Sequence, residues 1–85
     1  MRICDEIETR LRTAFDPQVL RVEDDSESHR GHAGWREGGE THFNVTLRAP
    51  RFATMSRLAR HRAVHAALGP DLVARIHALA LDVDG

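Results

Sequence analysis

Phe43-Asn44-Val45-Thr46-Leu47-Arg48 alternates apolar and polar side chains without a break, and its reading decides the fold. Apolar residues at every second position line one face of a β-strand, with the polar partners on the other. Pro50 ends the run. Downstream, Ser56 is a good helix N-cap, because its hydroxyl can accept from an otherwise orphaned backbone N–H. Leu58, Val64, Leu68 and Leu72 then share one face of a helical wheel, and Gly69-Pro70 interrupts or caps that helix before Asp71. Ile76 to Val83 forms a third strand, opened by His77 in phase with Leu79 and Leu81.

Upstream of the deciding strand, residues 24–40 are polar and carry Gly31, Gly34, Gly38 and Gly39, with Trp35 among them. This composition describes a long loop. Leu20 and Val22 alternate with Arg21 and Glu23 as a first strand. Ile3, Ile7, Leu11 and Phe15 recur at helical spacing, and Asp16-Pro17 stops the helix, since a residue before proline avoids the helical region. The order is helix, strand, strand, helix, strand. The first two strands fit an antiparallel pair with a long connection. The helical connection makes the second and third parallel, with a right-handed crossover. The expected fold is α+β: one domain over residues 1–85, a three-stranded mixed sheet covered by helices on one face.

Eighty-five residues bury one small core, which disfavours a deep enclosed active site. The net charge of −1 gives no bulk attraction to nucleic acid, although every cationic side chain apart from histidine is arginine. Charge is unevenly spread. Glu23, Asp24, Asp25 and Glu27 form an acidic run, and Arg48, Arg51, Arg57, Arg60 and Arg62 a basic one. A solvated surface accounts for such runs in most domains. The single cysteine, Cys4, excludes an intramolecular disulfide and a cysteine-only metal site. Arg2, Asp5 and Glu6 leave no apolar run for a signal peptide, and no stretch approaches the roughly 20 apolar residues of a membrane span. A cytoplasmic protein without membrane association is the expectation.

The six histidines carry the chemical interest, since imidazole is both the commonest side-chain metal ligand and the neutral-pH titrating group. His61 falls on the apolar stripe of the second helix and His65 at its edge, which suits packed histidines bonded to backbone. His42 alternates away from Phe43, toward the outer sheet face or the mouth of the strand. His29 and His32 sit in the glycine-rich loop Ser28-His29-Arg30-Gly31-His32-Ala33-Gly34, where both imidazoles can approach one ion or remain exposed. His77 stands at the end of a half-buried row, able to reach out from the sheet edge. No nucleophile constellation or phosphate-binding glycine loop is present, so no enzyme activity is expected. Cys4 lies in a first helical turn, where the helix dipole can lower a thiol pKa, but no base accompanies it. Arg57, Arg60 and Arg62, preceded by Arg51, form the one array able to grip phosphates, without aromatic residues to stack on bases.

Phe52-Ala53-Thr54-Met55-Ser56 followed by Arg60-His61-Arg62 and Val64, the stretch Glu40-Thr41-His42-Phe43, and Ile76-His77-Ala78-Leu79-Ala80-Leu81 together resemble the BolA-like family. The resemblance runs from about Leu20 to Leu81. Thr54 departs from it, standing where the family usually has glycine, and so does Ala49-Pro50 at the end of the second strand. The resemblance implies a fold like a class II KH domain, but the nucleic-acid loop Gly-x-x-Gly of that class is not found. It further implies partnership with a monothiol glutaredoxin. In such complexes a bridging [2Fe-2S] cluster is held by the glutaredoxin cysteine, glutathione, and histidine or cysteine from the BolA-like chain.

The family's C-terminal ligand carries over onto His77. A second lies in the loop after the first strand, and its position stays open: counting from Asp24-Asp25-Ser26 reaches His29, and counting back from Thr41-His42-Phe43 reaches His32. With histidine there, the chain resembles the histidine-bearing subgroup. The implied function is an iron–sulfur trafficking or redox-regulatory adaptor. The isolated chain would hold no cofactor and exist as a monomer or weak dimer. The alternative is a nucleic-acid-binding transcriptional regulator acting on DNA through the Arg57–Arg62 helix.

Overall fold

The computed structural model describes residues 2–25 and 41–85. Helix α1 (Ile3–Phe15) packs on a sheet of β1 (Val19–Asp24), β2 (His42–Arg48) and β3 (Ala78–Asp84). A 3₁₀ helix (Pro50–Thr54), α2 (Arg57–Leu68) and the short α3 (Pro70–Ala74) connect β2 to β3. The strand order is β1-β2-β3, with β1/β2 antiparallel and β2/β3 parallel, the mixed α+β sheet expected from the alternation.

The register sorts every strand residue onto a face. Leu20 opposes Leu47, Val22 opposes Val45, and on the other side Phe43, Val45 and Leu47 oppose Leu79, Leu81 and Val83. These point toward the helices, where Ile7, Leu11, Val64, Leu68 and Leu72 are fully buried. Each large side chain removed from water here contributes about 1.5–3 kcal/mol. The 3₁₀ helix, which the sequence pattern does not announce, supplies Phe52 to this core. Its ring meets Phe15 from α1 at a centroid distance of 5.0 Å and an interplanar angle of 53°, a tilted arrangement favoured by aromatic quadrupoles.

Helix ends follow local chemistry. Asp16 adopts a left-handed conformation (φ 45°) and its N–H bonds Arg12 O, closing α1 before Pro17; aspartate is among the few non-glycine residues that visit this region. The Ser56 hydroxyl accepts from Ala59 N at 3.1 Å, as its N-cap assignment requires. Gly69 takes φ 85° and ψ 152°, a conformation for glycine, and separates α2 from α3, whose first residue is Pro70. The Arg10 guanidinium from α1 donates to Leu68 O and places a cation at the C-terminal end of α2.

Three expectations need correcting. Leu58, assigned to the buried helical stripe, is 58% exposed. It sits in the first turn of α2, ahead of Val64 and Leu68, which carry the helix contact. His65 is exposed rather than packed, its Nδ1 hydrogen-bonded at 2.8 Å to the carbonyl of His61 one turn earlier. The last strand begins at Ala78, so His77 precedes it instead of opening it.

Candidate metal-ligand site and its basic neighbour

His77 lies between α3 and β3, with its side chain exposed. The backbone N–H groups around it are engaged. Arg75 N donates to Leu72 O, Ile76 N to Val73 O, and both His77 N (2.9 Å) and Ala78 N (3.1 Å) donate to the single carbonyl of Thr41. The Glu6 carboxylate receives the Arg75 guanidinium at 2.9 Å and ties this connector to α1. The result is an outward-facing imidazole on a fixed main chain.

Beside it stands His42, the first residue of β2. The parallel register pairs His42 with Ala78, one residue after His77, and the rings of His42 and His77 approach each other at this end of the sheet. Their ring centroids are 5.1 Å apart with planes tilted by 57°. His42 belongs to the outer row of β2, with Asn44 and Thr46, as alternation requires. It stands at the mouth of the strand as expected, and is only 5% exposed there. Its Nδ1 and the buried Thr41 hydroxyl share a hydrogen bond of 2.7 Å. Opposite His42 and Asn44, Ala78 and Ala80 present only methyl groups, and the resulting groove of about 280 Å³ is lined by His42, Phe43, Asn44, Ala78, Leu79 and Ala80.

His29 and His32 lie outside the described residues. Among the described residues, no group of three or more His, Cys, Asp or Glu side chains converges as a metal site. What the structure brings together is the pair His42 and His77. His77 is exposed, as a residue reaching out from the sheet edge would be, and the sequence reading gives His42 no part beside it. Alignment of Phe43, Val45 and Leu47 with Leu79, Leu81 and Val83 as inward rows sets His42 opposite Ala78, one residue from His77, so the closeness of the two rings needs the folded end of the sheet as well as the register.

The Cys4 thiol goes against the dipole expectation. Burial pushes its pKa up, and the neighbouring Asp5 carboxylate, 3.8 Å from the sulfur, adds to the effect. Raising a thiol pKa leaves less thiolate for ligation or attack at neutral pH.

The arginine array divides. Arg60 turns inward, with Nε donating to Phe52 O at 2.9 Å and Nη1 to Val83 O at 3.0 Å. It also meets the Asp84 carboxylate at 3.2 Å and is 18% exposed. One guanidinium thus joins the 3₁₀ helix, α2 and β3. Arg51 stacks over Phe15, its Cζ 5.2 Å from the ring centroid. Arg57 and Arg62 remain exposed on α2. The continuous basic face expected over Arg57–Arg62 is therefore broken at Arg60, because its fixed donor fork satisfies carbonyls at a junction of three elements.

Among the described residues, no helix is long and apolar enough to cross a membrane. Residues 11–84 match the family model described as BolA-like protein. BolA-like protein 1 of Bos taurus is 43% identical over 88% of this chain, which spans about half (53%) of that protein's length. The DNA-binding transcriptional regulator BolA of Escherichia coli is 42% identical over 95% of the chain and 73% of its own. The solved structure of BolA1 from Arabidopsis thaliana superposes with a TM-score of 0.82 at 28% identity, covering 99% of this chain and 92% of that one. In sequence over most of its length and in the order and pairing of its strands, this chain belongs to the BolA-like family.

Proposed function

We propose that this protein is an iron–sulfur adaptor, which docks on a monothiol glutaredoxin and completes, through His77 and a loop histidine (His29 or His32), the ligation of a [2Fe-2S] cluster carried between the two chains. The observation that supports this reading best is His77 itself, an exposed imidazole on a main chain whose N–H groups are all engaged. A ligand presented to a partner's cargo needs both properties: access for the incoming metal, and a backbone that does not have to order on binding. Imidazole suits this cargo because histidine replaces cysteine on one iron in Rieske-type centres. The protein's own part is to present nitrogen donors and exclude competing groups. Cys4, with its pKa raised, is not among those donors. Neither is a catalytic role assigned to any residue.

Anaerobic reconstitution with a monothiol glutaredoxin, glutathione, iron and sulfide tests the reading by visible absorption and circular dichroism. A spectrum distinct from that of the glutaredoxin alone is expected for the wild type, and its loss for His77→Ala. Spectra identical with and without this protein would discard the adaptor reading.

The likeness to the DNA-binding transcriptional regulator BolA of Escherichia coli favours a second reading, binding of DNA. Arg57 and Arg62 are the exposed α2 candidates, together with Arg51. Arg60 is not, since its guanidinium is spent on carbonyls and Asp84. For duplex binding through these three arginines, log K should fall with log salt at a slope of about −3, at roughly −0.9 per neutralised phosphate. Arg57→Ala with Arg62→Ala would reduce that slope by about 2. A salt-independent anisotropy titration would remove this reading.

A further inference from the structure

We infer that His42 is a positioning residue for His77, holding the ligand imidazole in one orientation for its partner. The inference rests on the adaptor reading for its purpose, but its geometry stands independently. Thr41 and His42 act on His77 as a pair of consecutive residues with divided tasks. The Thr41 carbonyl accepts from both His77 N and Ala78 N and so fixes the backbone. The His42 ring, 5.1 Å away and tilted by 57°, packs against the His77 ring and limits where it can turn.

Exposed histidines ordinarily sample several side-chain rotamers on a fast timescale. An imidazole flanked by a nearly buried second ring has fewer wells to choose from. The second ring is itself held. His42 is 5% exposed, and its Nδ1 shares a 2.7 Å hydrogen bond with the buried Thr41 hydroxyl. The chain of restraint therefore runs from a buried threonine, through a buried histidine, to an exposed one. Groups that orient a metal ligand without touching the metal tune its affinity, and their loss typically costs 10–100-fold. Here the restraint is packing rather than a hydrogen bond to the ligand, so about tenfold is expected, at the lower end of that range.

The test uses the full chain, with two readouts. In the free protein, three-bond couplings report the χ1 of His77, and nuclear Overhauser contacts report its proximity to residue 42. The wild type should show a single His77 rotamer and ring–ring contacts. His42→Ala should average the His77 couplings while the amide spectrum of the sheet is retained, and His42→Phe, which replaces ring by ring, should restore the single rotamer. In the reconstituted complex with glutaredoxin and glutathione, His42→Ala should speed cluster loss about tenfold, read by decay of the visible circular dichroism, with His42→Phe near wild type.

An unaltered His77 rotamer in His42→Ala overturns the inference, whatever the cluster does. Equal decay of the His42→Ala and wild-type complexes overturns it as well. If the wild type forms no mixed complex, the adaptor reading falls while the couplings still decide whether His42 orients His77. Should His42→Ala unfold, the comparison of His42→Phe with His42→Leu decides, since leucine fills space without a planar ring; equal couplings in those two variants overturn the inference.

Discussion

Arg60 shows how one side chain can read as function in a sequence and act as structure in the fold. In the pattern Arg57, Arg60, Arg62 it belongs to a basic helix face, and periodicity cannot say whether a guanidinium points out or in. The deciding facts are long-range: the carbonyls of Phe52 and Val83, 8 and 23 residues away in the chain, lie within its reach. Charged hydrogen bonds to such acceptors contribute about 1.5–3 kcal/mol each, and truncation leaves part-buried carbonyls without their donor. Arg60→Ala should therefore lower stability by about 2–4 kcal/mol, seen as a reduced urea midpoint with an unchanged slope. Arg60→Lys should recover only part of that, since one ammonium cannot reproduce the two-nitrogen fork. Substitution at exposed Arg57 should shift stability by no more than about 0.5 kcal/mol. Equal destabilisation at both positions would show that Arg60 makes no special junction.

At the level of elements, the parts legible from sequence were those governed by neighbours within a turn or two. The α1 stripe, the Ser56 cap, the break at Gly69-Pro70 and the alternation of β1 and β2 all rest on local spacing, and the structure has each of them. The 3₁₀ helix was not legible, because a five-residue turn buries a single residue, Phe52, and so shows no period. The closeness of His42 to His77 was hidden for a different reason, since it requires the β2/β3 register as well as the strands themselves. Likewise the exposure of Leu58 depends on where α2 meets its neighbours, which a wheel drawn on one helix does not contain. The junction at Gly69 offers a quantitative check. A Cβ built there would stand 3.2 Å from Arg10 Nη1, and the backbone is in a region that side chains rarely enter. Gly69→Ala should cost about 1–3 kcal/mol from conformation alone. Ser56→Ala, which removes only the cap, should cost about 1 kcal/mol. In a domain of this size each kcal/mol lowers the melting temperature by about 4–8 °C. Calorimetry should then place Ser56→Ala nearer wild type than Gly69→Ala, and the reverse order would mean that the α2–α3 turn relaxes freely.

For the whole molecule, two carboxylates hold distant ends of the chain together and set its response to acid. The Arg75 guanidinium, hydrogen-bonded to Glu6 across 69 residues, holds that carboxyl below its usual 4.5. Asp84 is held below its usual 3.8, first by the Gly85 N–H and then by the charge of Arg60. A carboxylate whose pKa is depressed on folding stabilises the fold above its unfolded value, and that contribution disappears as pH falls through the folded value. Stability should consequently show no contribution from these groups to any slope between pH 7 and 5, begin to fall as pH passes their usual values of 4.5 and 3.8, and lose their contribution as pH falls through the lower folded values. Protonation of Glu6 detaches the connector bearing His77 from α1. Protonation of Asp84 loosens β3 from α2 at Arg60. Urea midpoints measured against pH for wild type and Glu6→Gln should therefore converge in acid, because the variant has already lost what protonation removes, while at pH 7 the variant should be the less stable. Curves that stay parallel down to pH 3 would mean that the Glu6–Arg75 contact contributes nothing to the fold. The same titration, followed through the Ala78 amide, should show exchange protection near His77 declining before that of β2, since the connector depends on Arg75 and the central strand does not.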